Sequence, residues 1–466
     1  MDQDAAWWTT LVFGADGDTD LPRYLQIVAD IEHAIETRTL THGQRLPAER
    51  TLAAALCVSR GTVVRAFEIL AERGTIERIH GSGTFVRSNP FAALPHVRHI
   101  DSAADDPGDV IDLSQAAPSD PSHLPDIDWG FDPVDHSPGI TGRGLPMLQE
   151  ALAVHLTRLG LPTTADQIIV TTSTADVVDV VLRSNRAGKR PAVLGTPAWP
   201  ALRSVFSEHT AASLCLYPDA GGVDPAALRR ALRRTAASVV LVDTVEAGPV
   251  GRATATSRFP RIAAAIEDHT AVALEDLSFL ACEAVHNPQF RPLSALSERF
   301  TAMGDLGRVF WSGCGVGWLR EAAPAESLLG AALRIPRPAA SAQVHAARLL
   351  VAATPQWFAE RREHLSEHVR YLIRRLGEVL PSWKIESPTA GDGVWVRLPV
   401  IDASTFAHVA ARSGITVCSG QGCVTDGGLR EYIRISAAAD KPTLELAVDR
   451  LAEAWAIYTR RLAASV

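Results

Sequence analysis

The sequence predicts an α/β chain of two unequal units: a small helical unit with a closing strand pair at the N-terminus, then a larger unit on a mostly parallel central sheet. Three observations carry this. Apolar residues recur at helical spacing between residues 24 and 70. From about residue 112 onward, short apolar runs alternate with helical runs. Between them lies a stretch poor in apolar residues and rich in turn formers. A length of 466 residues calls for two or three domains. The 47% hydrophobic content, with a mean hydropathy of +0.06, supplies a large core. A charged fraction of 21% is that of a globular chain, which excludes a disordered or fibrous class.

Taken in order, residues 1–20 are weakly patterned; Trp7 and Trp8 are candidates for docking on a neighbouring surface. Residues 21–88 form the first predicted domain. Tyr24, Leu25, Ile27, Val28, Ile31, Ala34 and Ile35 mark one amphipathic helix. A proline-bearing loop, Gly43 to Pro47, leads to a short helix over 49–56 with Leu52, Ala53 and Leu56 inward. Cys57, Val58 and Ser59 make a tight turn, with Ser59 placed to cap the third helix. There Val63, Ala66, Phe67 and Leu70 face the core, while Arg60, Gly61, Val64 and Arg65 lie opposite. Two short strands joined through His80, Gly81, Ser82 and Gly83 then make a wing.

This arrangement is a winged helix-turn-helix. Arginines on its third helix suit a major groove, where the guanidinium reads guanine edges or grips phosphate. Glycines in the wing let the backbone approach the sugar-phosphate chain. The charge agrees: from Arg45 to Arg87 there are seven arginines against four acids, a local surplus of three positive charges in a chain of net charge −8. The overall charge excludes a chain that coats nucleic acid with its whole surface. A bundle with merely solvated arginines is the competing reading.

Residues 89–111, with Pro90, Pro95 and the acidic run 101–108, are predicted to be an interdomain linker. The second domain covers 112–466. Strands are expected at 167–172, 191–195, 213–217, 238–243 and 271–276, with helices such as 225–235 and 258–269 between them. Residues from about 355 to 466 form a smaller α/β subdomain, with strands near 394–398 and 432–435. The six cysteines show no zinc spacing and read as reduced thiols of a cytoplasmic protein. No apolar run is long enough to span a bilayer and the acidic start lacks a signal peptide, so no membrane partner is expected.

Three segments of the first domain, Leu46 to Ala53, Val58 to Val63 and Gly81 to Val86, resemble the GntR-type winged helix almost element for element. The resemblance implies that Arg50, Arg60, Thr62, His80 and Gly81 touch a double-stranded DNA operator, and with Ser59, Gly61, Arg65, Ser82 and Gly83 of the helix start and wing they make up the expected DNA-binding surface. Segments of the second domain, including Ile168 to Thr172, Thr196 to Trp199, Leu274 to Asp276 and Ile433 to Ser436, resemble the MocR group of regulators. In that group the C-terminal domain has the fold-type-I aminotransferase fold and binds pyridoxal phosphate. The resemblance implies an aminotransferase-like effector and dimerisation domain, and a homodimer.

The cofactor chemistry needs a lysine for the Schiff base, a carboxylate at the pyridine nitrogen, phosphate donors and a stacking ring. By this resemblance Asp276 is the carboxylate, Trp199 the ring, Ser173 and Thr174 the phosphate-binding helix start, and Arg434 the clamp on a substrate carboxylate. The lysine position holds Arg308, a guanidinium that stays protonated and is no amine nucleophile. Gly248, Gly307 and Gly315 stand where the group has side-chain donors. The chain has three lysines, Lys189, Lys384 and Lys441, none near this segment. No covalent cofactor and no catalytic residue are therefore expected. Pyridoxal phosphate would bind only non-covalently, and the pocket would hold a small anionic effector on Arg434 and Arg308. Ordinary ion pairing for both arginines, a scaffold without ligand, and an aminotransferase-like enzyme with a DNA-binding head remain the alternatives.

Overall fold

The computed structural model describes residues 7–8, 11–12, 22–36, 39–40, 44–72, 75–79, 83–86, 110–115, 117–132, 140, 142–184, 190–195, 197–210, 212–245, 253–284, 290–322, 326–388 and 390–464. The chain divides into two compact units, Met1–His99 and Ile100–Val466.

In the first unit, α1 (Arg23–Glu36), α2 (Glu49–Ala55) and α3 (Arg60–Glu72) enclose a core of Ile27, Ile31, Leu52, Val63, Phe67 and Leu70, all buried. The apolar spacing of the sequence is the cause: each helix carries one apolar stripe and buries it against the others. A three-stranded sheet closes the core, with β1 (Arg45–Leu46), β2 (Ile76–Ile79) and β3 (Gly83–Val86) in the order β1-β3-β2, both pairings antiparallel. Trp8 and Val12 complete this core, Trp8 being 3% exposed. The docking expected of the tryptophans is thus within their own unit, with Trp7 against Trp8 edge to face at 4.9 Å.

The second unit begins at β4 (Ile111–Asp112). Ile111, given to the linker by the sequence, is already paired, its N–H donating to the carbonyl of Gly414; residues 89–109 of that expected linker lie outside the described residues. The central sheet has seven strands: β5 (Ile168–Thr171), β6 (Ala192–Gly195), β7 (Ser213–Leu216), β8 (Val239–Asp243), β9 (Val272–Asp276), β10 (Phe300–Asp305) and β11 (Gly317–Arg320). Their order is β5-β11-β10-β9-β8-β6-β7, and β11 alone runs antiparallel to its neighbours. Strands β5 and β6 are buried at every residue, which is why they read as unbroken apolar runs rather than alternating ones. Flanking helices include α4 (Thr174–Ser184), α5 (Pro200–His209) and α6 (Pro225–Arg234), the last capped by Asp224 accepting from the N–H groups of Ala226 and Ala227.

The small subdomain carries a four-stranded sheet of β12 (Lys384–Glu386), β13 (Gly393–Arg397), β15 (Cys418–Ser419) and β16 (Tyr432–Ser436), ordered β12-β13-β16-β15. Between β13 and β15, β14 (Ile415–Thr416) pairs in parallel with β4. Helix α7 (Lys441–Ala464) packs its Leu444, Val448 and Leu451 into the subdomain core. No described helix is long and apolar enough to cross a membrane.

Candidate functional site

In the first unit, the turn before α3 is held by Ser59: its Oγ accepts from the N–H of Thr62 at 3.1 Å, the N-cap that the sequence predicts. Thr62 Oγ1 lies 2.8 Å from the same oxygen, and the residue is half-buried. Arg50, Ser59, Arg60, Gly61 and Arg65 are exposed. Arg60 reaches Glu49 at 3.4 Å, and Arg65 reaches Glu68 at 3.2 Å; these side chains are 71% and 58% exposed. Ion pairs so open to water are worth only ~0.2–1 kcal/mol, so phosphate can displace the carboxylates cheaply. Gly83 has φ +121°, and a Cβ there would stand 3.0 Å from Nε of Arg45. The glycine therefore brings β3 tight against Arg45, an exposed arginine that was not among the predicted contacts. His80, Gly81 and Ser82 lie outside the described residues.

In the second unit, four predicted pocket residues converge. Asp276 ends β9 and is 5% exposed. Its Oδ1 accepts from the N–H and hydroxyl of Ser278 at 2.9 and 2.6 Å. Its Oδ2 lies 3.3 Å from Nη1 of Arg308. The guanidinium carbon of Arg308 sits 4.8 Å from the ring centre of Trp199 and 4.5 Å from that of Phe279. From another side, the guanidinium carbon of Arg434 sits 4.5 Å from Trp199. One indole therefore contacts two cations, each attracted to its π-face.

Arg434 is buried on β16, and its Nη2 donates to Oδ1 of Asp392 at 2.6 Å. Ser436 donates to the other oxygen of that carboxylate at 3.0 Å. Gly393 makes the pairing sterically feasible, because a Cβ at that position would lie 2.3 Å from Nε of Arg434. A small cleft is lined by Pro197, Ala198, Trp199, Asp243, Trp395, Cys423 and Arg434.

Ser173 and Thr174 stand at the start of α4, and Thr174 is buried. The hydroxyl of Ser173 donates to Asp176 at 3.3 Å, and that of Thr172 donates to the same carboxylate. Beside them Asp305 caps the turn that carries Arg308, accepting from the N–H of Gly307 at 2.8 Å. Burial pushes the Asp305 carboxyl up to about 6, with Asp276 and Asp176 adding repulsion and the Gly307 N–H and Arg308 opposing. The helix start that would cradle an anion thus has two carboxylates for neighbours. Gly307 and Gly315 bring no side-chain donor; Gly248 lies outside the described residues. Lys384 and Lys441 are exposed, the latter 5.1 Å from the ring centre of Tyr371, and neither lines the cleft. Lys189 lies outside the described residues. Asp176, Asp305, Asp392 and Trp395 were missed in the sequence. Asp176 and Asp305 lie within three residues of the predicted Thr174 and Arg308 and were open to a local reading, whereas Asp392 and Trp395 come beside Arg434 only after folding.

Comparison with known proteins follows this division. The family model "Bacterial regulatory proteins, gntR family" matches residues 23–86. The HTH-type pyridoxine biosynthesis transcriptional regulator PdxR of Corynebacterium glutamicum is 27% identical over 381 residues, covering 78% of this chain and 81% of that protein. An uncharacterized HTH-type transcriptional regulator of Bacillus subtilis, YydK, is 40% identical over 67 residues, 14% of this chain and 28% of its own. Among solved structures, an archaeal alanine:glyoxylate aminotransferase matches with a TM-score of 0.65 at 20% identity, over 74% of this chain and 90% of its own. The α-aminoadipate aminotransferase LysN of Thermus thermophilus, complexed with N-(5'-phosphopyridoxyl)-L-leucine, matches at 0.63 and 18%, over 77% and 94%. The head is a GntR-type winged helix-turn-helix and the body has the aminotransferase fold; the chain is a transcriptional regulator of that two-part architecture.

Proposed function

We propose that this regulator binds a two-part operator as a homodimer, and that its body has given up Schiff-base chemistry for sensing. The observation that carries the second half is the pairing of Arg308 with Asp276. In the MocR-like pattern Arg308 takes the lysine position, and a guanidinium cannot form an aldimine. The carboxylate meant for a pyridine nitrogen is engaged by that guanidinium, and the ring meant to stack on the cofactor already contacts two cations. The residues do not fit pyridoxal phosphate as a Schiff-base cofactor. The free compound would have to displace a buried ion pair and set its phosphate near Asp176 and Asp305. The aminotransferase-like enzyme reading needs an amine, and no lysine is among the described residues that line this pocket.

For the head, the exposed arginines Arg50, Arg60 and Arg65, with Gly83 at the wing, support direct DNA contact. A symmetric pair of heads fixes the spacing of two half-sites. In the body, a small anionic effector would bind at Arg434 beside Trp199 and act by preferring one dimer arrangement over another. A scaffold without ligand is the second reading, and the Arg434–Asp392 pair favours it, because that arginine already has a buried carboxylate.

The test has two arms. Duplexes selected from a random pool by the full-length protein should bind roughly 10³-fold or more tighter than random duplex at the same salt; equal affinity for all would sink the regulator reading. Pyridoxal phosphate should yield no aldimine absorbance that survives gel filtration. A retained band would show that the pocket keeps a reactive amine. A panel of anionic metabolites that leaves the melting temperature of wild type unmoved would favour the scaffold.

A further inference from the structure

Two thiols meet at the cleft. Cys418 lies on β15 opposite Arg434 of β16, and Cys423 ends the 3-10 turn Gly420–Cys423 that follows. Their sulfurs are 3.3 Å apart. Both side chains are buried, Cys418 at 7% exposure and Cys423 at 2%, in a small cluster with Trp395. The turn between them is tied to the segment that carries Trp199. The N–H of Ala198 donates to the carbonyl of Cys423 at 2.9 Å, and Arg203 donates to the carbonyls of Gln421 and Gly422. Closing the sulfurs to the ~2.05 Å of a disulfide requires a movement of about 1.3 Å, small enough for a turn but not without strain on that tether.

We propose that Cys418 and Cys423 are an oxidation site that closes to a disulfide under a hydroperoxide-class oxidant, and that closure loosens the segment holding Trp199. The Cys423 thiol donates toward Cys418 and holds its thiol below the ordinary value, with Arg434 acting in the same sense against burial. Cys418 is therefore the attacking sulfur. Its thiolate attacks one peroxide oxygen, the O–O bond breaks, and hydroxide leaves to become water with a proton from solvent. The Cys423 thiol then attacks the sulfur of the Cys418 sulfenic acid and gives its proton to the departing oxygen. The S–S bond forms, the S–O bond breaks, and the leaving oxygen departs as water with the Cys423 proton. Two thiols give up two electrons and two protons; the peroxide takes them and yields two waters.

The test uses the full-length protein and hydrogen peroxide. Residues 413–430 form one tryptic peptide containing both cysteines and no internal cleavage site. After treatment of the folded protein that peptide should be lighter by two hydrogens and revert with dithiothreitol, and neither Cys418→Ser nor Cys423→Ser should show that two-hydrogen loss. In the same samples, amide hydrogen exchange over residues 197–203 should rise several-fold in wild type. A peptide of unchanged mass, a thiol that runs on to sulfinic acid, or a bridge to another cysteine would overturn the site. A disulfide with unchanged exchange would overturn the coupling to Trp199. The wild-type arm stands even if a serine variant fails to fold.

Discussion

The head and the body both spend arginine, and they spend it in opposite ways. Arg60 and Arg65 stand in water with loosely held acids, Glu49 and Glu68. Arg308 and Arg434 are buried against Asp276 and Asp392, at 8% exposure or less on both sides of each pair. A solvated guanidinium is available to any anion that approaches, so it suits recognition of a phosphate chain. A buried one is bound to the partner the fold supplies, because separating the charges leaves one of them desolvated and alone. The residue type does not decide between a binding surface and a structural core; the surroundings do.

The comparison can be broken most severely in the body. Asp392→Ala should destabilise the protein by about 3–5 kcal/mol, because it strands the Arg434 cation. A urea melt reads this, and a loss under ~1 kcal/mol would mean that Arg434 is solvated and open to ligand. In the head, Arg60→Ala should leave the melt almost unchanged while weakening DNA affinity roughly 10–100-fold, about 1–3 kcal/mol. Fluorescence anisotropy at several salt concentrations separates the cases: a phosphate contact lowers the salt slope by about one, whereas a base contact narrows the sequence preference.

A subtler test lies at Asp305. Its carboxyl is raised from 3.8 to about 6 in the folded protein. The protonated form is therefore favoured by folding. Its stabilising contribution is full below about 3.8 and is lost as pH rises through about 6. Asp305→Asn keeps an acceptor for the Gly307 N–H but removes the charge. Because Asp305 retains some exposure, the gain in stability should be about 1–2 kcal/mol near neutral pH and vanish in acid. An equal effect at both pH values would show that the carboxyl is unperturbed. Smallest of all, Glu68→Ala should change stability by no more than ~0.5 kcal/mol, since its pair with Arg65 is open to water.

The head was legible in the sequence to within a residue or two. Its helices each satisfy a local rule: an apolar stripe, a serine cap at Ser59, a glycine at the wing. Strands β5, β6, β8 and β9 were legible for a different reason, since burial on both faces leaves continuous apolar runs, while the edge strand β7, with Leu214 exposed, still carries the apolar run Leu214–Leu216. The strands β10 and β11 were not assigned, because Phe300–Asp305 mixes small and polar residues and Gly317–Arg320 has only two apolar residues, Trp318 and Leu319, between a glycine and an arginine. The convergence of Trp199, Asp276, Arg308 and Arg434 followed from family resemblance, but their partners did not. Asp392 is 42 residues from Arg434, and Asp276 is 32 from Arg308, so each pair exists only by virtue of the tertiary fold. The cysteines read as core filler for the same reason. Four residues separate Cys418 from Cys423, and nothing in that spacing says that a turn will fold one sulfur onto the other.

The parallel pairing of Ile111 with Ile415 has a consequence for synthesis. A chain emerges from the ribosome N-terminus first, and domains fold in that order. The head has everything it needs once β3 is out. Strand β4 follows closely, yet its partner is roughly 300 residues away and arrives near the end of translation. Throughout that interval the opening strand of the second unit has an unsatisfied edge, next to a head already able to meet DNA. A nascent chain stalled before residue 415 would therefore carry a finished reader on an unfinished body.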